Sequence, residues 1–232
     1  MQTIYFLGLD LGQTQDPSAL VLVERTIAQG DWDPVHFAHR KQISLAVRHL
    51  EHFPLGTGYP SIVERVSDIV QTIQWRGKVK LTIDGTGVGR PVVDLFRLRR
   101  INADITPVNV TGGNRESVTR DYTSVPKRDL VMCLRLLLER RGLIISAAMA
   151  NAQTLIDELS NMQVKVTPAG REQYNAPSGQ HDDLAFALSL AVWTVNNTYP
   201  REPAGDDRYC TNPEAMKQLE EKKSRSPQGR LW

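Results

Sequence analysis

Cysteine is nearly missing from this chain: Cys133 and Cys210 are the only two in 232 residues. Two thiols make neither a disulfide framework nor a zinc site built on cysteine. Long hydrophobic runs are missing too. No apolar stretch reaches the roughly 18 residues that a membrane-spanning helix needs, and no membrane association is expected. The N-terminus lacks the basic-then-apolar pattern of a secretory leader, which predicts a cytosolic protein. An excess of one charge sign is likewise absent, with 28 Lys and Arg against 26 Asp and Glu. That balance excludes a histone-like polycation. It leaves nucleic-acid binding open, because such contacts depend on where the basic side chains sit. With 41% hydrophobic and 23% charged residues, the bulk of the chain is neither disordered nor fibrous. Its 232 residues suit one domain, alone or with a tail.

What the sequence does contain is an alternation of strand and helix signals. Ile4 to Asp10 is an apolar run ending in a carboxylate. Ser18 to Arg25 and Val35 to Leu45 read as the next two strands, and the short polar links among the three predict an antiparallel meander. A helix is expected from Pro60 to Gln74, with Ile62, Val66, Ile69, Val70 and Ile73 at helical spacing. Lys78 to Asp84 is a fourth strand, again closed by an aspartate, followed by Gly85, Gly87, Gly89 and a helix from Pro91 to Arg100. Ile105 to Val110 is another short strand. Thr111 to Pro126 is polar and without period, and a mobile surface loop is expected there. An amphipathic helix starts at Pro126 and ends with Gly142 as its cap. Leu143 to Ser146 reads as a strand, Asn151 to Leu159 as a helix, Met162 to Thr167 with Arg171 to Asn175 as a hairpin, and Gln180 to Val195 as the last helix. The fold class is α/β: a mixed sheet, antiparallel meander plus parallel strands, flanked by helices on both faces. Residues 1–198 would form the domain and the polar residues 199–232 a flexible C-terminal tail.

Aspartates stand at three element ends. Asp10 closes the first strand, Asp84 the fourth, and Asp182 and Asp183 open the last helix. Each alone is an ordinary turn or helix-start residue. Together they are costly to bury, and no Lys or Arg stands next to them to pair with. Hard oxygen donors in this number suit magnesium or manganese. Asp183 shares a helix face with Ala187, Leu190 and Ala191, small enough to let the helix lie close on a sheet. Asp182 falls about 100° around the helix and is the weaker ligand candidate. Carboxylates about 4 Å apart repel by about 4 kcal/mol per pair at an effective dielectric near 20, so the cluster needs cations or a shared proton. Two divalent ions about 3.5–4 Å apart would make it a clamp for phosphoryl transfer that requires no side-chain nucleophile.

Four stretches, in order, carry a resemblance: GLDLGQTQDPSALVLVE (Gly8 to Glu24), LTIDGTGVGRPVVDLF (Leu81 to Phe96), VPKRDLVMCLRLLLERRGLII (Val125 to Ile145) and GQHDDLAFALSLAVW (Gly179 to Trp193). They resemble the ribonuclease H-like superfamily, and within it the nuclease domain of phage terminase large subunits. The resemblance implies a ribonuclease H-like fold and a metal-dependent endonuclease that cuts concatemeric viral DNA during packaging, in the cytoplasm of the bacterial host. It implies Asp10, Asp84 and Asp183 as principal ligands of two Mg2+ or Mn2+ ions, with Asp182 beside them and Asp16 as a further acid. Lys127 falls where such nucleases often carry a basic residue near the active site, and His181 would be an outer hydrogen-bonding group. The implied partners are double-stranded DNA and a terminase ATPase motor, small subunit or portal. No G-x-x-x-x-G-K-[ST] stretch is present, so the chain reads as an excised nuclease domain or a nuclease encoded apart from its motor.

Between Arg76 and Arg100 seven basic residues face two acids, and a second basic group runs from Arg115 to Arg141. Arg90, Arg115, Arg120, Lys127 and Arg128 are the candidates for phosphate contact, with Thr111 to Pro126 as a flap over the duplex. No base-reading spacing is present, so little sequence specificity is expected. Three other readings remain. A Holliday-junction resolvase shares the sheet and the acids, but normally carries a glutamate where Asp84 stands. An actin-like phosphotransferase or ATPase has phosphate loops like LDLGQT and IDGTGVGR, though 232 residues is short for two such lobes. A degenerate nuclease fold kept for binding is the non-catalytic option.

Overall fold

The computed structural model describes residues 2–12, 16–35, 37–87, 90–113, 115–166, 172–175 and 181–198. The expected tail at 199–232 lies outside them. β1 (Gln2–Asp10), β2 (Ala19–Asp33) and β3 (Ala38–His52) form the antiparallel meander. Strands β2 and β3 are 15 residues each and outrun the apolar runs that announced them. Ala19–Val23, Leu45–Val47 and Leu50 lie over the core, while the far ends of the pair stand largely exposed. Hydrophobic pattern therefore marked the buried part of each strand and not its full length.

From β3 the chain crosses through α1 (Tyr59–Ile73), with Pro60 in its first turn, to β4 (Lys78–Asp84), which pairs parallel with β1. Helix α2 (Arg90–Leu98) leads to β5 (Asp104–Thr111), parallel to β4. The stretch expected as a mobile loop is a correction: it holds β6 (Ser117–Val118) and β7 (Thr123–Pro126). β7 lies parallel to β5, and Val125 and Pro126 are buried. Four residues are too few to display a period; pairing with a neighbour makes them a strand. The intervening segment is also tied down, since Trp193 Nε1 donates to Glu116 Oε1 at 2.8 Å.

Helix α3 (Lys127–Glu139) follows directly, with Pro126 as its N-cap. At its far end Arg141, not Gly142, takes the left-handed conformation (φ 54°). The Arg141 N–H donates to the Leu138 carbonyl and the Gly142 N–H to the Leu137 carbonyl, both at 2.9 Å, which is a Schellman ending one residue earlier than the glycine suggested. Residues 143–146 make only a single bridge, Ala46 to Ile144, rather than the expected strand. Then come α4 (Ala152–Asn161), the antiparallel hairpin β8 (Gln163–Val166) and β9 (Glu172–Asn175), and α5 (Asp183–Thr198). The hairpin matches expectation; its turn lies outside the described residues.

The seven-stranded sheet runs β3-β2-β1-β4-β5-β7-β6. Alternation along β1 sends Ile4 and Phe6 toward α3, α4 and α5, and Tyr5, Leu7 and Leu9 toward α1 and α2. Both faces are thus covered, as the sequence predicted. Helix α5 is buried on every side from Asp183 to Val195, which explains why apolar residues surround it instead of forming a stripe. It reaches the sheet through Gly8: a methyl group there would collide with the Ala187 carbonyl oxygen and stand 2.9 Å from the Ala191 nitrogen. Among the described residues no helix is long and apolar enough to cross a membrane.

Candidate metal centre

Asp10 and Asp84 end neighbouring strands. Leu9 pairs with Ile83 across the parallel β1–β4 ladder, so the two aspartates follow side by side at the carboxyl edge of the sheet. The two-residue period turns both toward α5. Asp10 continues the face of Phe6 and Gly8, and Asp84 that of Thr82, whose hydroxyl bonds to Thr194 of α5. A sharp turn fixes Asp84: its Oδ1 accepts the Thr86 N–H at 2.8 Å, and Thr86 Oγ1 accepts the Val110 N–H at 2.8 Å.

The start of α5 brings the third acid. The helix begins at Asp183, and Asp182 precedes it as the residue whose carbonyl accepts the Phe186 N–H at 2.7 Å. Asp183 is 7% exposed, and its Oδ2 has no hydrogen-bond partner. His181 Nδ1 stands 3.6 Å from that oxygen. Lys127, the first residue of α3, reaches in from the β7 side, with Nζ 3.6 Å from Asp182 Oδ2 and 5.1 Å above the Phe186 ring.

Electrostatics ties these groups into one field. Burial drives the Asp10 carboxyl well above the usual range; Asp84, Asp183 and Asp182 push it further, and Lys127 opposes them. Burial also raises Asp84, against hydrogen bonds from Thr86 and the charge of Lys127. Asp183 is raised to about 6, chiefly by burial, with Glu158 and Asp182 adding and the His181 and His52 imidazoles opposing. Acids that resist ionisation are the mark of a site short of positive charge.

These residues fit a divalent cation by chemistry: hard carboxylate oxygens, one of them buried without a partner. As the side chains stand, no group of three or more His, Cys, Asp or Glu among the described residues is arranged to hold a metal ion. Convergence on one ion is left to rotation of the side chains about backbones that already face one another. Of the other expected residues, Asp16 is exposed beside Pro17 and is not among the charges acting on Asp10. Arg115 and Arg120 are exposed between β5 and β7, and Arg128 is exposed with Nε 3.3 Å from Asp129 Oδ1. Arg90 opens α2, and its side chain lies outside the described residues.

Two participants, Glu158 and His52, escaped the sequence reading. Glu158 of α4 is buried, its Oε2 accepts the Ala185 N–H at 2.8 Å, and its Oε1 faces His52 Nε2 at 3.4 Å. The available signal was an acid three residues after the buried Leu155, hence on the core face of its helix.

Solved structures share this fold. The large terminase nuclease from thermophilic phage G20c, in a crystal structure with bound magnesium, superposes with a TM-score of 0.57 over 82% of this chain and 81% of that one, at 24% identity. This chain has the fold of a large-terminase nuclease. The nuclease domain of the Thermus phage P74-26 large terminase matches with a TM-score of 0.55, at 21% identity, over 88% of this chain and 84% of that one. The terminase nuclease domain of the Sf6 large subunit gp2 matches at 0.51 and 16% identity, over 88% and 90% of the two chains. In sequence the chain is 24% identical over 188 residues to the terminase large subunit of Thermus phage G20c. The match takes in 81% of this chain and spans 31% of that relative's length. No family model matches the chain. The mixed sheet expected from the sequence, an antiparallel meander plus parallel strands with helices on both faces, is what the structure has.

Proposed function

We propose that this chain is a divalent-metal-dependent endodeoxyribonuclease of the terminase type, cutting concatemeric phage DNA in the host cytoplasm during packaging. One observation carries the reading: two aspartates at adjacent strand ends and a third at the start of the covering helix share one buried field that raises the acids above their ordinary range. Asp10, Asp84 and Asp183 are the proposed ligands, with Asp182 and Asp16 as further acids and Mg2+ or Mn2+ as the ions. Two such ions would supply an activated water and stabilise the leaving oxygen. The chain's own part is to hold the carboxylates in place and to exclude bulk water from beneath them. Lys127, already 3.6 Å from Asp182, offers a positive charge to the phosphate being cut. Arg90, Arg115, Arg120 and Arg128 would position the duplex through its phosphates without reading bases. The ATPase motor, small subunit and portal are the proposed partners.

Plasmid DNA tests this directly. Nicking and linearisation are expected with manganese or magnesium and should stop on chelation, and Asp84→Asn should leave no cutting. Cutting by Asp84→Asn at the wild-type rate would overturn the site. Preference for four-way junctions over linear duplex would move the reading to a resolvase.

A further inference from the structure

The first turn of a helix has N–H groups with no partner inside the helix, and the N-cap side chain ordinarily satisfies one at the second or third position. At α5 that cap position belongs to Asp182, and the donor is Ala185. Yet the Ala185 N–H is taken by Glu158, reaching from α4, 27 residues away in sequence, at 2.8 Å. Asp182 instead turns an oxygen toward Lys127, and Asp183 keeps its buried Oδ2 without a partner. The other Glu158 oxygen faces His52 at the end of β3, 3.4 Å away. Glu158 is 7% exposed, and its Oε1 is buried without a hydrogen-bond partner, so the carboxylate turns to the protein and not to solvent.

We propose that Glu158 is a positioning residue: lying against His52, it caps α5 from outside and so releases Asp182 and Asp183 from capping their own helix, keeping Asp183 turned toward the ends of β1 and β4. This rests on the reading of Asp10, Asp84 and Asp183 as metal ligands.

The test uses the full chain and manganese alone as probe, with affinity read from the manganese dependence of the melting temperature. Glu158→Ala should weaken manganese binding by about tenfold or more, the usual loss when a group that orients a ligand is removed. Glu158→Gln keeps an oxygen for the Ala185 N–H and should bind manganese close to wild type. A cap of purely structural value would lower the melting temperature of Glu158→Ala and leave its manganese affinity unchanged; that result overturns the proposal, as would a Glu158→Gln variant no better than Glu158→Ala. Should Glu158→Ala not fold, His52→Ala carries the test: weaker manganese binding is expected, and wild-type binding overturns it. A wild-type protein whose melting ignores manganese would sink the metal reading itself, and this proposal with it. A wild-type response matched by Glu158→Ala sinks Glu158 alone.

Discussion

Removing one charge from the strand-end pair should make the metal-free protein more stable. Asp10 and Asp84 follow the Leu9–Ile83 pair on adjacent parallel strands, and such strands lie about 4.8 Å apart. Two carboxylate charges at that separation repel by about 3.5 kcal/mol at an effective dielectric near 20. The whole amount is not realised, because burial and mutual repulsion already keep Asp10 from ionising freely. Asp84→Asn deletes the charge yet keeps an oxygen to accept the Thr86 N–H now made by Oδ1. The net expectation at pH 8 in chelator is a gain of about 1–3 kcal/mol. For a domain of this size each kcal/mol moves the midpoint by about 2–4 °C. Melting by calorimetry, first in chelator and then in manganese, gives the answer. The variant should melt higher than wild type without metal, and manganese should raise only the wild type. An Asp84→Asn protein that melts below wild type in chelator would show that the aspartates do not repel, and the field argument would fail.

Gly8→Ala should be severely destabilising, because the new methyl meets backbone of α5 rather than a side chain able to move; overpacking costs about 1–3 kcal/mol and more when backbone must shift, and a wild-type urea midpoint would refute the close approach. In chelator the metal-free protein should lose stability as pH rises. Asp183 has a folded-state value of about 6, above that of an unfolded aspartate, so its contribution is fully present below about 4 and lost as pH climbs through 6. Asp183→Asn should flatten that part of the pH profile, and an unchanged slope would count against the shift. Binding of duplex DNA should fall steeply with salt if Arg115, Arg120, Lys127 and Arg128 meet phosphates; a flat response in a filter-binding titration would remove them from the interface.

Where sequence reading worked, the signal was local. Lys78–Asp84 was legible to the residue because Val79, Leu81 and Ile83 alternate with polar residues at the strand's own period. Where it failed, the deciding contact was remote. Strand β7 exists through its pairing with β5, and Glu158 matters through Ala185, 27 residues on. The outer halves of β2 and β3 pair with each other above the core, so hydrophobicity could not announce them.

The sequence by itself determined the order of the well-buried strands and the main helices and which acids would end them, because a strand's burial and a helix's first turn are written in neighbouring residues. Only the tertiary structure decided that Asp10 and Asp84 stand on adjacent strands, that Lys127 leans on Asp182, and that Glu158 takes over the cap of α5. Charges interact through space with a strength set by distance and burial, and neither quantity exists until the chain has closed on itself.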